Sequence, residues 1–247
     1  MLAILVVIRK TLIYGAGLAL LSFLLWYLYI VYATRIFINS DGELFFSGRI
    51  TFGSVAEVRQ LYEDSTIKPT ILHIRSPGGY MAAGGEFGEW IHKQGLDVKV
   101  TKKCYSTCAN YVFPAGKRSL LGQNGKLLWH ASYQSTSFLT KSGDRVDEEK
   151  TRQTTNVDMG RKLERKFFDQ IGVDPQLPTY GEAEHYATLH GNLKYDAGYD
   201  GFYYSVEDMS KMGINVVLLD GVWRQGEWLN KSHDMYKAVV PDEYRKH

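Results

Sequence analysis

Hydrophobic and polar positions along the chain fall into two textures: an uncharged run near the N-terminus, then short β-branched runs alternating with longer amphipathic stretches. Residues 44–50 read as a short strand, and 54–63 as a helix with Val55, Val58 and Leu61 on one side. An alternating strand over 70–75 stops at Ser76-Pro77-Gly78-Gly79, and 80–95 reads as a helix. Its Ala82, Ala83, Gly84, Gly85 and Gly88 predict close packing against a neighbouring backbone. Another strand follows over 97–101, a helix over 106–115, and two short strands at 120–121 and 127–129. After a polar loop over 132–147, a long helix runs to about Ile171, with Met159, Leu163, Phe167 and Ile171 as one apolar stripe. Ser205 opens a final helix in capping-box fashion; it ends at Gly213 before a strand over 214–219. Strands alternating with helices predict an α/β fold with crossover connections.

The uncharged run covers 11–34, about 24 residues, long enough to span a bilayer core of roughly 30 Å. Trp26, Tyr27, Tyr29 and Tyr32 crowd its far end, where amphipathic rings favour the interface. Arg9 and Lys10 precede it, which places the N-terminus inside and the rest of the chain outside the cytoplasm. The expected organisation is a short cytoplasmic N-terminus (1–10), a single-pass transmembrane anchor (11–34), one periplasmic or extracytoplasmic domain (39–220) and a C-terminal tail (221–247). A cleaved signal peptide ending near 31–33 is the competing reading. The 247 residues are 45% hydrophobic, enough for one sizeable core, and a net charge of +2 without a basic block gives no case for nucleic acid.

Chemistry concentrates in three places, in order along the chain. Ser76-Pro77-Gly78-Gly79 is a turn whose glycines let backbone approach a substrate. Ser106, in Cys104-Tyr-Ser-Thr-Cys108, follows a strand and opens a helix, where the first N–H groups lack intrahelical partners. His130 ends a strand before the small Ala131 and Ser132. Taken singly, Ser106 reads as a helix N-cap, His130 as a structural histidine and the turn as a turn. In this order they supply a nucleophile, a base and oxyanion donors, the parts of an acyl-transfer site. Cys104 and Cys108 fall on one face of a helix at a separation a disulfide tolerates; two buried thiols are the alternative. No other cysteine or suitably spaced histidine accompanies them, so neither a metal nor a cofactor is expected.

This set resembles the proteolytic subunit of the Clp protease, within the Clp/crotonase superfamily. The likeness rests on Phe45-Phe-Ser-Gly-Arg-Ile-Thr51, Ile71-Leu-His-Ile-Arg-Ser-Pro-Gly-Gly79, Leu127-Leu-Trp-His130 and Ser205-Val-Glu-Asp-Met-Ser-Lys-Met-Gly213. The resemblance implies a Clp/crotonase-like fold of repeated β-β-α units, here preceded by one transmembrane helix. It makes Ser106 the nucleophile, His130 the base, and the amides of Gly78, Gly79 and Thr107 the oxyanion hole. Asp196 is the expected acid, with Asp200 in reserve. The expectation is a membrane-anchored serine endopeptidase acting on peptides or unfolded chains, with a homo-oligomer as a further expectation. An inactive Clp-like domain that binds an envelope partner, or a crotonase-type acyl-CoA enzyme, are the alternatives.

Overall fold

A computed structural model describes residues 14, 17, 22, 23, 34–135, 148–182, 201–225 and 235–242. The chain divides into two units, 1–35 and 36–247. In the first, the described Tyr14, Gly17, Ser22 and Phe23 are helical and exposed.

The second unit is built on a six-stranded sheet, in the order β1-β2-β3-β4-β6-β9. Its strands are β1 (Arg35–Ile38), β2 (Leu44–Ser47), β3 (Ile71–Arg75), β4 (Asp97–Val100), β6 (Ser119–Leu121) and β9 (Val216–Leu218). From β2 to β9 every neighbouring pair is parallel. Parallel neighbours need crossovers, and α1 (Phe52–Asp64) and α2 (Met81–Gln94) supply two of them. Alternation sets the faces. Leu44 and Phe46, Leu72 and Ile74, and Val98 and Val100 are buried in one core with Val55, Val58, Phe87 and Ile91 of the helices. The opposite face is half-exposed and more polar: the Phe45 and His73 rings lie 4.5 Å apart, and Lys99 Nζ donates to Glu43 Oε1 at 2.9 Å.

β5 (Lys103–Tyr105) and β7 (Lys126–Leu128) form a second, parallel pair. Ser76, just past β3, bridges Cys104 of β5 and so ties the two sheets together. β8 (Gly201–Tyr203) and β10 (Met235–Lys237) make a third pair, and α3 (Glu148–Ile171) and α4 (Val206–Lys211) complete the elements. Described residues beyond 220 pack into this same unit. The Gln225 side chain, 2% exposed, accepts from Leu127 N at 2.7 Å and donates to Leu127 O at 2.5 Å, and Ala238 and Val240 are buried.

Two expectations are corrected here. The Clp/crotonase-like fold led by a transmembrane helix gives way to a mixed α/β domain on a six-stranded sheet. Among the described residues no helix is long and apolar enough to cross a membrane. That finding overturns the single-pass anchor, the membrane as partner and the periplasmic placement drawn from it. The expectation rested on the length of the uncharged run, its aromatic end and the preceding Arg9 and Lys10, all local signals of the sequence. The rest of 1–10 and 11–34 lies outside the described residues. On α3 the stripe is also rotated. Met159 and Leu163 are 55% and 58% exposed, whereas Gly160, Glu164, Phe167 and Phe168 are buried. Tyr133 occupies the space over Gly160, and Glu164 finds polar partners inside, so small size and hydrogen bonding chose the inner face over apolarity.

Candidate active site

The C-terminal ends of β3, β5 and β7 lie side by side. Tyr105 stands opposite Leu128 in the β5–β7 register, and Ser76 bridges Cys104. The turn at Ser76–Gly79, Ser106 and His130 therefore collect at one edge, the end of a parallel sheet where chains leave room for ligands.

Ser106 makes the reversal from β5 into a helix with φ +55°, and Ala131 at +48° is the only other described non-glycine residue with positive φ. A left-handed L-residue costs about 1–2 kcal/mol and persists only where its surroundings hold it. Here Ser106 N donates to Leu128 O at 2.8 Å, and its own carbonyl accepts from Asn110 N at 2.8 Å. Cys104 and Cys108 are joined by a disulfide, Cα to Cα 5.2 Å, and both are fully buried. The pair does not sit on one helix, as the spacing suggested. Cys104 is on β5 and Cys108 opens the π-helical turn Cys108–Val112, so the bond clasps the strand-to-helix corner around Ser106. The hydroxyl of Ser106 is half-exposed and makes no hydrogen bond among the described residues.

The three expected oxyanion donors are not equivalent. Gly78 N–H already donates to Ser76 Oγ at 3.0 Å. Gly78 O accepts from Ile50 N at 3.0 Å, and across a planar trans peptide the Gly79 N–H must then point the other way, off Ile50. Neither Gly79 N–H nor Thr107 N–H has an acceptor among the described residues. The Thr107 hydroxyl donates to Gly79 O at 3.0 Å and fixes the two segments to each other. Gly78 has φ +96°, and a Cβ there would lie 2.7 Å from Ser106 Cβ and 3.1 Å from Thr107 N. Gly78 is the residue that admits the close approach; Gly79 and Thr107 keep the amides.

His130 is half-buried and continues β7 past Trp129, whose backbone exchanges hydrogen bonds with Phe202 at 2.9 and 3.0 Å. The turn after it is held by Asn110, a fully buried side chain that donates to His130 O at 3.2 Å and Ala131 O at 2.8 Å. Beyond the turn, Ser132 Oγ donates to Glu164 Oε2 at 3.3 Å, and Tyr111 Oη donates to Glu164 Oε1 at 2.5 Å. Burial pushes the Glu164 carboxyl up to about 7, against the opposing pull of those two hydroxyls and of the Tyr133 and Gln134 amides. Asn110 and Glu164 have no spacing signal that could have marked them in the sequence, because their partners are 20 to 53 positions away. Asp196 and Asp200 lie outside the described residues. Among the described residues the Ser106 hydroxyl is not hydrogen-bonded to His130, and no Ser-His-Asp triad is assembled. Nor do three His, Cys, Asp or Glu side chains gather there as a metal site.

No family model matches the chain, and no curated protein matches it either. The resemblance to the Clp proteolytic subunit is accordingly corrected. Its short motifs occur here in the expected order, but they do not extend to a likeness over the whole chain. The identity as a membrane-anchored Clp-like peptidase falls with it, as do the Clp-based alternatives.

Proposed function

We propose that this protein is a serine hydrolase that forms an acyl-enzyme on Ser106, with endopeptidase action on polypeptides as the reaction it serves. The proposal needs neither a membrane anchor nor membership of the Clp family. The observation that carries it is the left-handed Ser106, held by a buried disulfide at a strand-to-helix corner with its hydroxyl unengaged among the described residues. A merely structural serine at a helix start would use that hydroxyl to cap the helix. A second feature supports it: two amides without acceptors among the described residues, Gly79 and Thr107, flank the same corner.

In this reading Ser106 Oγ adds to the carbonyl carbon and its proton passes to His130. The oxyanion accepts from Gly79 and Thr107, and the collapsing intermediate expels the amine, which takes the proton from His130. Water then attacks the ester by the same route in reverse. A fluorophosphonate probe tests this directly. The wild-type chain should be labelled at Ser106, with no labelling of Ser106→Ala, and His130→Ala should slow it by about a hundredfold or more. Equal labelling of wild type and Ser106→Ala would remove the assignment.

A further inference from the structure

A semi-enclosed cavity of about 230 Å³ lies between α2 and α3. Its walls start from each arm of the Ser106 site. Met81 lies two residues after Gly79, Tyr111 one helical turn past Thr107, and Tyr133 three residues after His130. The packing that brings them together is tight: a Cβ on Gly84 of α2 would meet Thr107 Cγ2 at 2.0 Å, and one on Gly88 would meet the Phe167 ring at 2.8 Å. The lining is mostly apolar and aromatic: Met81 and the exposed Leu163 stand with the buried Phe167 and Tyr111, and Glu164, 4% exposed, is also part of it. The same lining includes Glu86 and Glu89 on exposed positions of α2, and neither carboxylate makes an ion pair among the described residues. Among the described residues of the lining Lys166 is the one lysine or arginine, so their sum is net negative even with Glu164 neutral.

We propose that this cavity takes a long basic side chain, lysine or arginine, of a polypeptide bound across Ser106. The inference rests on the hydrolase reading and names its substrate class. A methylene stem of three or four carbons fits the apolar walls, as such stems do wherever they cover apolar surface. The cationic end meets the exposed carboxylates of Glu86 and Glu89, with Glu164 in the same lining. An apolar side chain would fill the walls but would strip water from Glu86 and Glu89 without recompense, and an acidic one would meet like charge. A cation beside Glu164 also favours its ionised form, which its four hydrogen-bond donors are already placed to receive.

Two measurements decide it. In peptides that differ at one position, arginine or lysine should be cleaved about tenfold faster in kcat/KM than norleucine, equivalent to about 1.4 kcal/mol. In Glu86→Gln/Glu89→Gln that ratio should fall toward unity. A wild-type preference for norleucine, with fluorophosphonate labelling intact, would overturn the basic-side-chain assignment while leaving the hydrolase reading in place. The second measurement does not use activity: calorimetry of the whole chain with benzamidine should detect binding that Glu86→Gln/Glu89→Gln weakens at least threefold. Failure of labelling alongside benzamidine binding would remove the hydrolase reading and keep the cavity's specificity. Absence of benzamidine binding up to millimolar concentration would overturn the cavity assignment by itself.

Discussion

The two left-handed turns, at Ser106 and Ala131, carry the same kind of strain and hold it by different means. At Ser106 the restraint is covalent and local: a disulfide spans the corner, and both cysteines lie within two residues of the serine. At Ala131 it is non-covalent and remote: one amide, Asn110, reaches across from the π-helical turn to two carbonyls, and the segment beyond leans on Glu164 of α3. The first turn is thus fixed by its own sequence, the second by the rest of the fold. Because Asn110 follows Cys108 by two residues, the same π-helical turn braces both, and Ser106 and His130 are positioned by one element. A π-helical turn widens the helix by one residue per bond, here Phe113 N to Cys108 O at 2.9 Å, and such turns recur at functional sites.

If the Ala131 turn depends on Asn110, Asn110→Ala should be the most damaging change. It leaves the carbonyls of His130 and Ala131 without their donor, at a cost of about 4 kcal/mol for the two together. Urea unfolding measures it, and a loss below about 1 kcal/mol would show that the turn is held elsewhere. Labelling of Ser106 should fall in the same variant under conditions where it remains folded.

Glu164 gives the second turn a pH dependence near neutrality. Its folded value near 7 lies above the ordinary 4.5 because of burial. Between those values the native state holds a proton that the unfolded state has released. Stability from the neutral carboxyl is therefore whole below about 4.5 and is lost as pH rises through 7, by about 3 kcal/mol in total. Glu164→Gln should remove that slope. Wild type and variant curves that stay parallel from pH 4.5 to 8 would show that Glu164 does not titrate there.

Loss of the disulfide should matter less. Joining residues four apart closes a short loop, so the chain-entropy contribution is about 2 kcal/mol. Cys104→Ala/Cys108→Ala should lose about that much, and more in labelling rate than Asn110→Ala does relative to its stability loss, because Ser106 itself is freed. Equal ratios of rate loss to stability loss in the two variants would mean that neither brace is specific to its own turn.

Sequence alone made the first turn legible and left most of the second hidden. Ser76, Gly78, Gly79, Ser106, Thr107 and the cysteines sit in two short segments, and their meaning depends on neighbours a few residues away. Most strands and helices of 44–128 were readable for the same reason, since alternation and turn residues are local signals, but the short β5 was missed and the helix over 106–115 is a π-helical turn. Asn110, Glu164 and the inward face of α3 were not, because hydropathy assigns a glutamate outward and a leucine inward. The structure reverses both: Glu164 is 4% exposed and Leu163 is 58% exposed. The division of labour among Gly78, Gly79 and Thr107 was equally invisible, since it turns on which amide already has an acceptor. The uncharged run misled for the opposite reason, a strong local signal with no tertiary check.

The smallest expected effect is also the one of opposite sign. Ala131 pays for its Cβ at φ +48° with about 1–2 kcal/mol, whereas glycine adopts that conformation freely but loses about 0.5–1 kcal/mol more chain entropy on folding. Ala131→Gly should therefore stabilise the protein by up to about 1 kcal/mol, read as a higher urea midpoint at unchanged slope. Ser106→Gly should gain a similar amount from the same relief while losing all labelling. If both variants gain, the two turns store comparable strain, and the difference between them lies only in how it is held. If Ala131→Gly loses stability while Ser106→Gly gains, the second turn is relaxed despite its angle, and only Ser106 sits in a conformation that its surroundings must force.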